Sequence, residues 1–252
     1  MDKLKELVRE LEGKTGKEEI ENILREIGEK LVTEYEIIVD GITVIPLWVE
    51  AYYYQGNNKK ADERNMYKSC TGFIDPFVHG AEEQKGEKNF GKLYFHHKTD
   101  DQRSGVDICL PLGDQYYLSL LLKYTLVNGE FTTQSELSGK IREKYDPQSR
   151  ILFSVEHSDK PAVIYSKRKG VSAKKEKDTA IKAAKEKYED MKVACILLDR
   201  INDFEFTFET GYGKTRLLED YIANNQNIDK EKISKLCEGL ISKVKLKKLL
   251  SK

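Results

Sequence analysis

Apolar residues at Leu4, Leu7, Val8 and Leu11, then at Ile20, Ile23, Leu24, Ile27 and Leu31, recur at intervals of three and four. That spacing puts them on one face of a helix. Gly13 and Gly16 break the run, so two helices joined by a turn are predicted over residues 4–35. At Ile37 the pattern changes to β-branched runs on either side of Asp40-Gly41, the signature of a tight hairpin. Pro46 then precedes what reads as a separate strand over residues 47–54, rich in aromatic and β-branched side chains. Residues 55–70 are polar, with a turn at Gly56-Asn57-Asn58, and read as a loop.

Short strands follow at 92–96 and 106–110, then a longer one at 116–126 and a second turn at Asn128-Gly129. Thr133 and Glu136 form a capping box that opens a helix running to about Tyr145, where Asp146-Pro147 ends it. Strands are expected at 151–155 and 162–165, followed by a loop at 167–177, a helix to Met191, and an apolar strand or buried helix turn at 193–198. Ile233, Leu236, Leu240, Ile241 and Val244 predict a C-terminal amphipathic helix with a lysine-rich end. The fold class expected is α+β, a central and mostly antiparallel sheet with flanking helices and helical N- and C-terminal segments. No internal repeat or low-complexity linker interrupts residues 1–252, so one domain is expected: a helical lead-in over 1–35, a sheet core over 36–215 and C-terminal helices over 216–252.

Composition narrows this picture. The 43 basic and 43 acidic residues balance, so any attraction to nucleic acid must come from a local basic patch. Cys70, Cys109, Cys195 and Cys237 contain no Cys-x-x-Cys pair, which argues against a zinc ribbon and a secreted disulfide scaffold and for reduced thiols. No apolar stretch is long enough for a membrane span and the N-terminus lacks a signal-peptide pattern, so a cytoplasmic protein without membrane contact is expected.

The most suggestive chemistry lies in Trp48–Tyr54, where one acid, Glu50, sits among rings. On a strand it shares a face with Trp48 and Tyr52. A carboxylate set against aromatic surface loses solvation, which raises its pKa and suits it to general acid/base work. The competing explanation is an exposed acid on an edge strand. A histidine, His79, follows in the loop Asp75–Gly80. Tyr94 and His96 lie on the next strand, and His96 and His97, being adjacent, point to opposite faces and cannot share a metal ion. Asp107, between Val106 and Ile108, needs a partner if buried. Lys167-Arg168-Lys169, in a loop with Gly170 and Ser172, suits contact with a phosphate backbone. The Lys243–Lys252 cluster reads better as a solvated helix face. Gly211-Tyr212-Gly213-Lys214-Thr215 mimics the end of a P-loop, but the first glycine of that motif would fall on Phe208.

Taken in order, Glu50-Ala51-Tyr52, His79, Gly91-Lys92-Leu93-Tyr94-Phe95-His96 and Asp107 resemble the motifs of the alkyladenine (3-methylpurine) DNA glycosylase family over residues 47–126. The resemblance implies that Glu50 activates the water that displaces the base, that Tyr52 stacks on the flipped base, and that His79, Tyr94 and His96 contribute further contacts. Asp107 stands where the family has an asparagine that screens bases, which implies a different substrate. The family's tyrosine wedge is replaced here by His97, Lys98 and Thr99. Base excision requires a nucleotide held outside the stack between aromatic surfaces, and Trp48, Tyr52, Tyr53, Tyr54 and Tyr94 are the rings on offer.

Three readings follow. The first is a monofunctional DNA glycosylase serving base-excision repair or defence against foreign DNA, with DNA as partner, no cofactor and no metal. The second is a non-catalytic module that binds a ligand or protein, with a structural aromatic strand. The third is a regulatory protein working through its terminal helices. The first requires Glu50 at the floor of a cleft with Tyr52, His79 and Asp107 around it. Oligomeric state is open.

Overall fold

A computed structural model describes residues 2–56, 58–65, 67, 72–96, 105–157, 161–203, 213–225 and 228–251. Cys70, the residues that stand in place of the wedge (His97, Lys98 and Thr99), and Phe208, Gly211 and Tyr212 of the P-loop mimic lie outside the described residues. So does Asn57 of the predicted turn.

The chain is α+β, with a mostly antiparallel open sheet and helices at both ends of the sequence. Helices α1 (Asp2–Arg9) and α2 (Lys17–Glu34) lead into β1 (Tyr35–Val39) and β2 (Ile42–Gln55). Asp40 and Gly41 both have positive φ, 47° and 76°, as a primed hairpin turn between right-twisted strands requires. After α3 (Lys59–Arg64) come β3 (Lys92–Phe95), β4 (Val106–Cys109), β5 (Tyr116–Val127) and β6 (Glu130–Thr133). Then follow α4 (Gln134–Ile141), β7 (Leu152–Ser154), β8 (Val163–Ser166), α5 (Thr179–Tyr188) and β9 (Ala194–Leu197). The chain closes with α6 (Lys214–Asn224), α7 (Lys230–Leu236) and α8 (Lys243–Leu250).

Three elements differ from expectation. Pro46 does not separate two strands. One strand runs through it, and its missing N–H falls beside a register irregularity that spans Pro46 to Val49, where proline is tolerated. The stretch after Gln55 contains α3, because the Asn58 side chain accepts a hydrogen bond from the Ala61 N–H and caps it. The C-terminal stretch is two helices, since Gly239 takes φ 75° after α7 and Ser242 caps a new start at α8.

Strands β2 and β5 form the spine, paired antiparallel from Val44↔Val127 to Gln55↔Tyr116. The outer edge of β2 carries β1 near its start and β9 opposite Trp48–Glu50, while that of β5 carries β6 and β4. Alternation then divides the sheet. Val49, Ala51, Tyr53, Leu118, Leu120, Leu122, Val106 and Ile108 turn to the face covered by α1 and α2 and form the main core. The opposite face has a second apolar cluster at one end, where Trp48, Ile164 and Ile196 meet α6–α8, and a small third cluster of Tyr54, Tyr117, Ile74 and Val78 at the other. Between those clusters the face is polar.

Cys109, Cys195 and Cys237 are buried free thiols. Among the described residues no helix is long and apolar enough to cross a membrane. Helix α2 approaches the sheet so closely at Gly28 that a Cβ there would lie 2.6 Å from the Cys195 Sγ. A glycine-to-alanine change inside a helix ordinarily stabilises by about 0.5–1 kcal/mol. Here Gly28→Ala is expected to destabilise by about 1–3 kcal/mol through overpacking, with part of the loss recovered by adding Cys195→Ala. Urea unfolding of the three proteins checks the sign.

Candidate functional site

The polar strip is built row by row from strand register. Tyr94 pairs with Asp107, Asp107 with Leu121, and Leu121 with Glu50, so these side chains emerge on one face across four strands. Two residues along, Ser119 pairs with Tyr52. The loop around His79, the one-turn 3-10 helix Glu82–Gln84, α3 and the segment after β8 stand over this face and enclose a cavity of ≈ 710 Å³. Tyr52, His79, His96 and Asp107 all line it.

Glu50 lies beneath this floor and is fully buried. The edge-strand alternative is therefore corrected, because β2 is paired on both sides at this point. Its Oε1 accepts the Lys169 backbone N–H at 2.7 Å, and its Oε2 accepts the Tyr52 hydroxyl at 3.2 Å with the Lys123 Nζ at 3.9 Å. A buried carboxylate thus has a donor or cation on each oxygen, the condition for keeping charge out of water.

Asp107, 2% exposed, has the partners its position demands. Oδ2 accepts from Ser119 Oγ at 2.8 Å and Gln84 Nε2 at 3.1 Å, and Oδ1 lies 2.9 Å from His96 Nε2. An ionised Asp107 requires the proton of His96 on Nε2, which fixes the ring's tautomer and orientation. Gln84 is itself held by the Gly80 and Ala81 N–H groups on its Oε1. His96, His79 and Tyr94 form a cluster with ring centroids 4.9–5.4 Å apart. Burial, then the Asp107 charge, raises the Tyr94 phenol to about 12. Burial, then Glu50, raises Tyr52 well above its ordinary value. Both hydroxyls are therefore donors at neutral pH.

The aromatic run itself is divided. Trp48 packs on Tyr124 in the second cluster, Tyr53 sits in the main core against Phe73 and Tyr116, and Tyr54 packs on Tyr117. Those three rings are removed from the set expected to hold a base, leaving Tyr52 and Tyr94 near the cavity. One face of Tyr52 is occupied, with the Arg168 guanidinium 4.7 Å from its centroid.

Arg168 is the second correction. It is 3% exposed, paired with the buried Asp75 carboxylate and donating to the Ala51 and Tyr188 carbonyls. A guanidinium committed inside the fold does not reach a phosphate backbone. Of its neighbours in the basic run, Lys167 pairs with Asp190 at the surface and Lys169 lines the cavity.

Sequence reading missed Lys59, Lys60, Lys123 and Lys185, which also line the cavity, and the supports Gln84 and Ser119. With Lys169 these lysines outnumber the lining acids Asp107 and Glu63, and Lys59, Lys123 and Lys185 each pair with a carboxylate. A signal existed: Ser119 and Lys123 break the apolar run of β5 at even spacing, marking a face that is not core. Among the described residues no three His, Cys, Asp or Glu side chains converge to hold a metal ion. The chain matches no protein-family model, no curated protein and no solved structure.

The Arg168–Asp75 pair gives a stability test. Asp75→Asn leaves a buried guanidinium without its counter-charge and should cost about 3–5 kcal/mol. Asp75→Asn combined with Arg168→Met should cost less than Asp75→Asn alone, as read from denaturant midpoints. A double-variant loss equal to the sum of the singles would show the two groups uncoupled.

Proposed function

We propose that the protein is a DNA glycosylase that takes an extrahelical damaged or modified base into this cleft and hydrolyses its N-glycosidic bond. The observation that carries the reading is the convergence of Tyr52, His79, His96 and Asp107, drawn from separate segments, on the lining of one cavity, with Glu50 buried beneath Tyr52 and Tyr94 packed against the two histidines. The lysine-lined walls suit the phosphates that flank a flipped nucleotide.

In this reading the base enters beside Tyr52 and the His79–Tyr94–His96 cluster, and Asp107 accepts a hydrogen bond from an exocyclic amino group. An acid accepts but does not donate when ionised, so Asp107 favours bases that present N–H groups toward it. Glu50 takes a proton from the attacking water and offsets the positive charge that develops on the sugar as the bond to the base lengthens. Tyr52 and the Lys169 N–H hold its carboxylate in place. Glu50 is fully buried with Tyr52 and Lys123 at Oε2, so substrate binding has to open this covering layer to admit the water.

That covering layer is also the observation that favours a second reading, a binding module in which Glu50 only anchors the segment after β8. The two part on one experiment. Wild-type protein is incubated with duplexes bearing a panel of damaged and modified bases, and abasic sites are revealed by alkali. The expected result is base release that Glu50→Gln lowers by at least about 100-fold, the scale of a lost general base, with DNA affinity retained. Salt-sensitive binding with no abasic site on any duplex supports the module, and absence of both overturns the DNA assignment.

A further inference from the structure

We propose that Lys123 is the nucleophile of a second activity at this cleft, a β-lyase that opens the DNA strand at the abasic site. The inference rests on the reading of the cleft as a DNA site and extends it from water-only hydrolysis to a bifunctional enzyme. It starts from register. Trp48 pairs with Tyr124 and Val49 with Leu122, so Lys123 is skipped and forms a β-bulge in the spine of the sheet. Bulges re-aim side chains and are enriched beside active sites. Here the extra residue lets Tyr124 pack on Trp48 while Lys123 keeps to the polar face. Its side chain is 13% exposed, lines the cavity, and brings Nζ to 3.9 Å from Glu50 Oε2.

The other lining lysines stand on the walls. Lys59 pairs with Glu63 and Lys185 with Glu176, and Lys60 and Lys169 belong to α3 and the segment after β8. Lys123 alone among the lining lysines rises from the strand floor beside a buried carboxylate. An amine there, with an acid to take and return protons, suits attack on a carbonyl carbon. The carbonyl that base excision generates is the aldehyde of the ring-opened abasic sugar.

The steps balance without an added oxidant or reductant. Lys123 gives a proton to Glu50, and the neutral amine adds to C1′. The carbinolamine takes the proton back on its hydroxyl and loses water to form an iminium ion. Glu50 then removes a C2′ proton, the electron pair moves into the sugar, and the C3′–O bond breaks with departure of the 3′-phosphate. Water hydrolyses the conjugated iminium, which restores the Lys123 ammonium and leaves an α,β-unsaturated aldehyde on the 3′ end, and Glu50 gives up the C2′ proton to solvent.

The test supplies a duplex that already carries an abasic site, so it does not depend on which base the protein excises, or on whether it excises one. With cyanoborohydride, wild-type protein should form a covalent adduct stable on a denaturing gel, and peptide mapping should place it on Lys123. Without reductant, the strand should be cut to the unsaturated aldehyde. Lys123→Met and Lys123→Arg should each lose both signals, Lys123→Arg while keeping the wild-type melting temperature and binding to abasic DNA, and Lys243→Ala, on helix α8, should keep both. Lys123→Arg guards against a folding defect in Lys123→Met, because it retains the positive charge. The proposal is overturned if wild type gives no adduct, if the adduct maps to another lysine, or if it persists at wild-type yield in both Lys123 variants. Base release without an adduct leaves the glycosylase reading standing and removes this one.

Discussion

The antiparallel ladder between β2 and β5 is the constraint on which the rest depends. Each strand is long enough to carry two shorter partners on its outer edge, so the pair fixes the positions of four other strands directly. Because side chains alternate, the same register that sends Val49, Ala51 and Tyr53 into the core sends Glu50 and Tyr52 to the opposite side. A slip of one residue would place a carboxylate under α2 and a tyrosine ring over the cleft. Core stability and site geometry are therefore set by one pairing.

Burying Glu50 and Asp107 on the polar face is costly unless every oxygen is satisfied, and the local structure can be understood as meeting that demand. The segment after β8 comes down onto Glu50 through the Lys169 N–H. The one-turn helix at 82–84 is placed so that Gln84 joins Asp107 to Ser119. His96, the residue after β3, completes the Asp107 shell. Loops that look irregular in sequence are thus positioned by the acids of the sheet beneath them. The cavity is what remains between those contacts.

Much of the scaffold was legible in the sequence because local rules govern it. The Asp40-Gly41 and Asn128-Gly129 turns, the capping box at Thr133 and Glu136, and the helical periodicity before Ile37 all rest on short-range preferences, and each stands where expected. Tertiary effects account for part of the difference. Pro46 is carried through a strand by a register irregularity with β5, whereas α3 was missed although its Asn58 cap is local. In the site, Glu50, Tyr52, His79, His96 and Asp107 were identifiable by residue type and order. The fates of Trp48, Tyr53 and Tyr54 were not, because the irregular pairing around Trp48 and the packing of α6–α8 decide which cluster each ring joins. Arg168 looked like a surface cation since nothing nearby in sequence announces Asp75, far away along the chain. Lys123 showed in the sequence only as a break in the apolar run of β5, and its place beside Glu50 did not, because a bulge is a property of two strands together.

The Arg168–Asp75 pair has a mechanical meaning as well. Arg168 follows β8, Asp75 lies in the loop before His79, and the guanidinium also grips the last residue of α5 through the Tyr188 carbonyl, while the Tyr188 hydroxyl accepts the Ile74 N–H. Three segments distant in the chain are riveted together on one side of the cleft. That side behaves as a fixed jaw, and separating its parts would mean tearing a buried charge pair. The opposing wall is anchored by other means, since the 82–84 turn is held to the sheet through the Gln84 bonds to the buried Asp107 and Ser119, so each wall of the cleft hangs on a different buried acid.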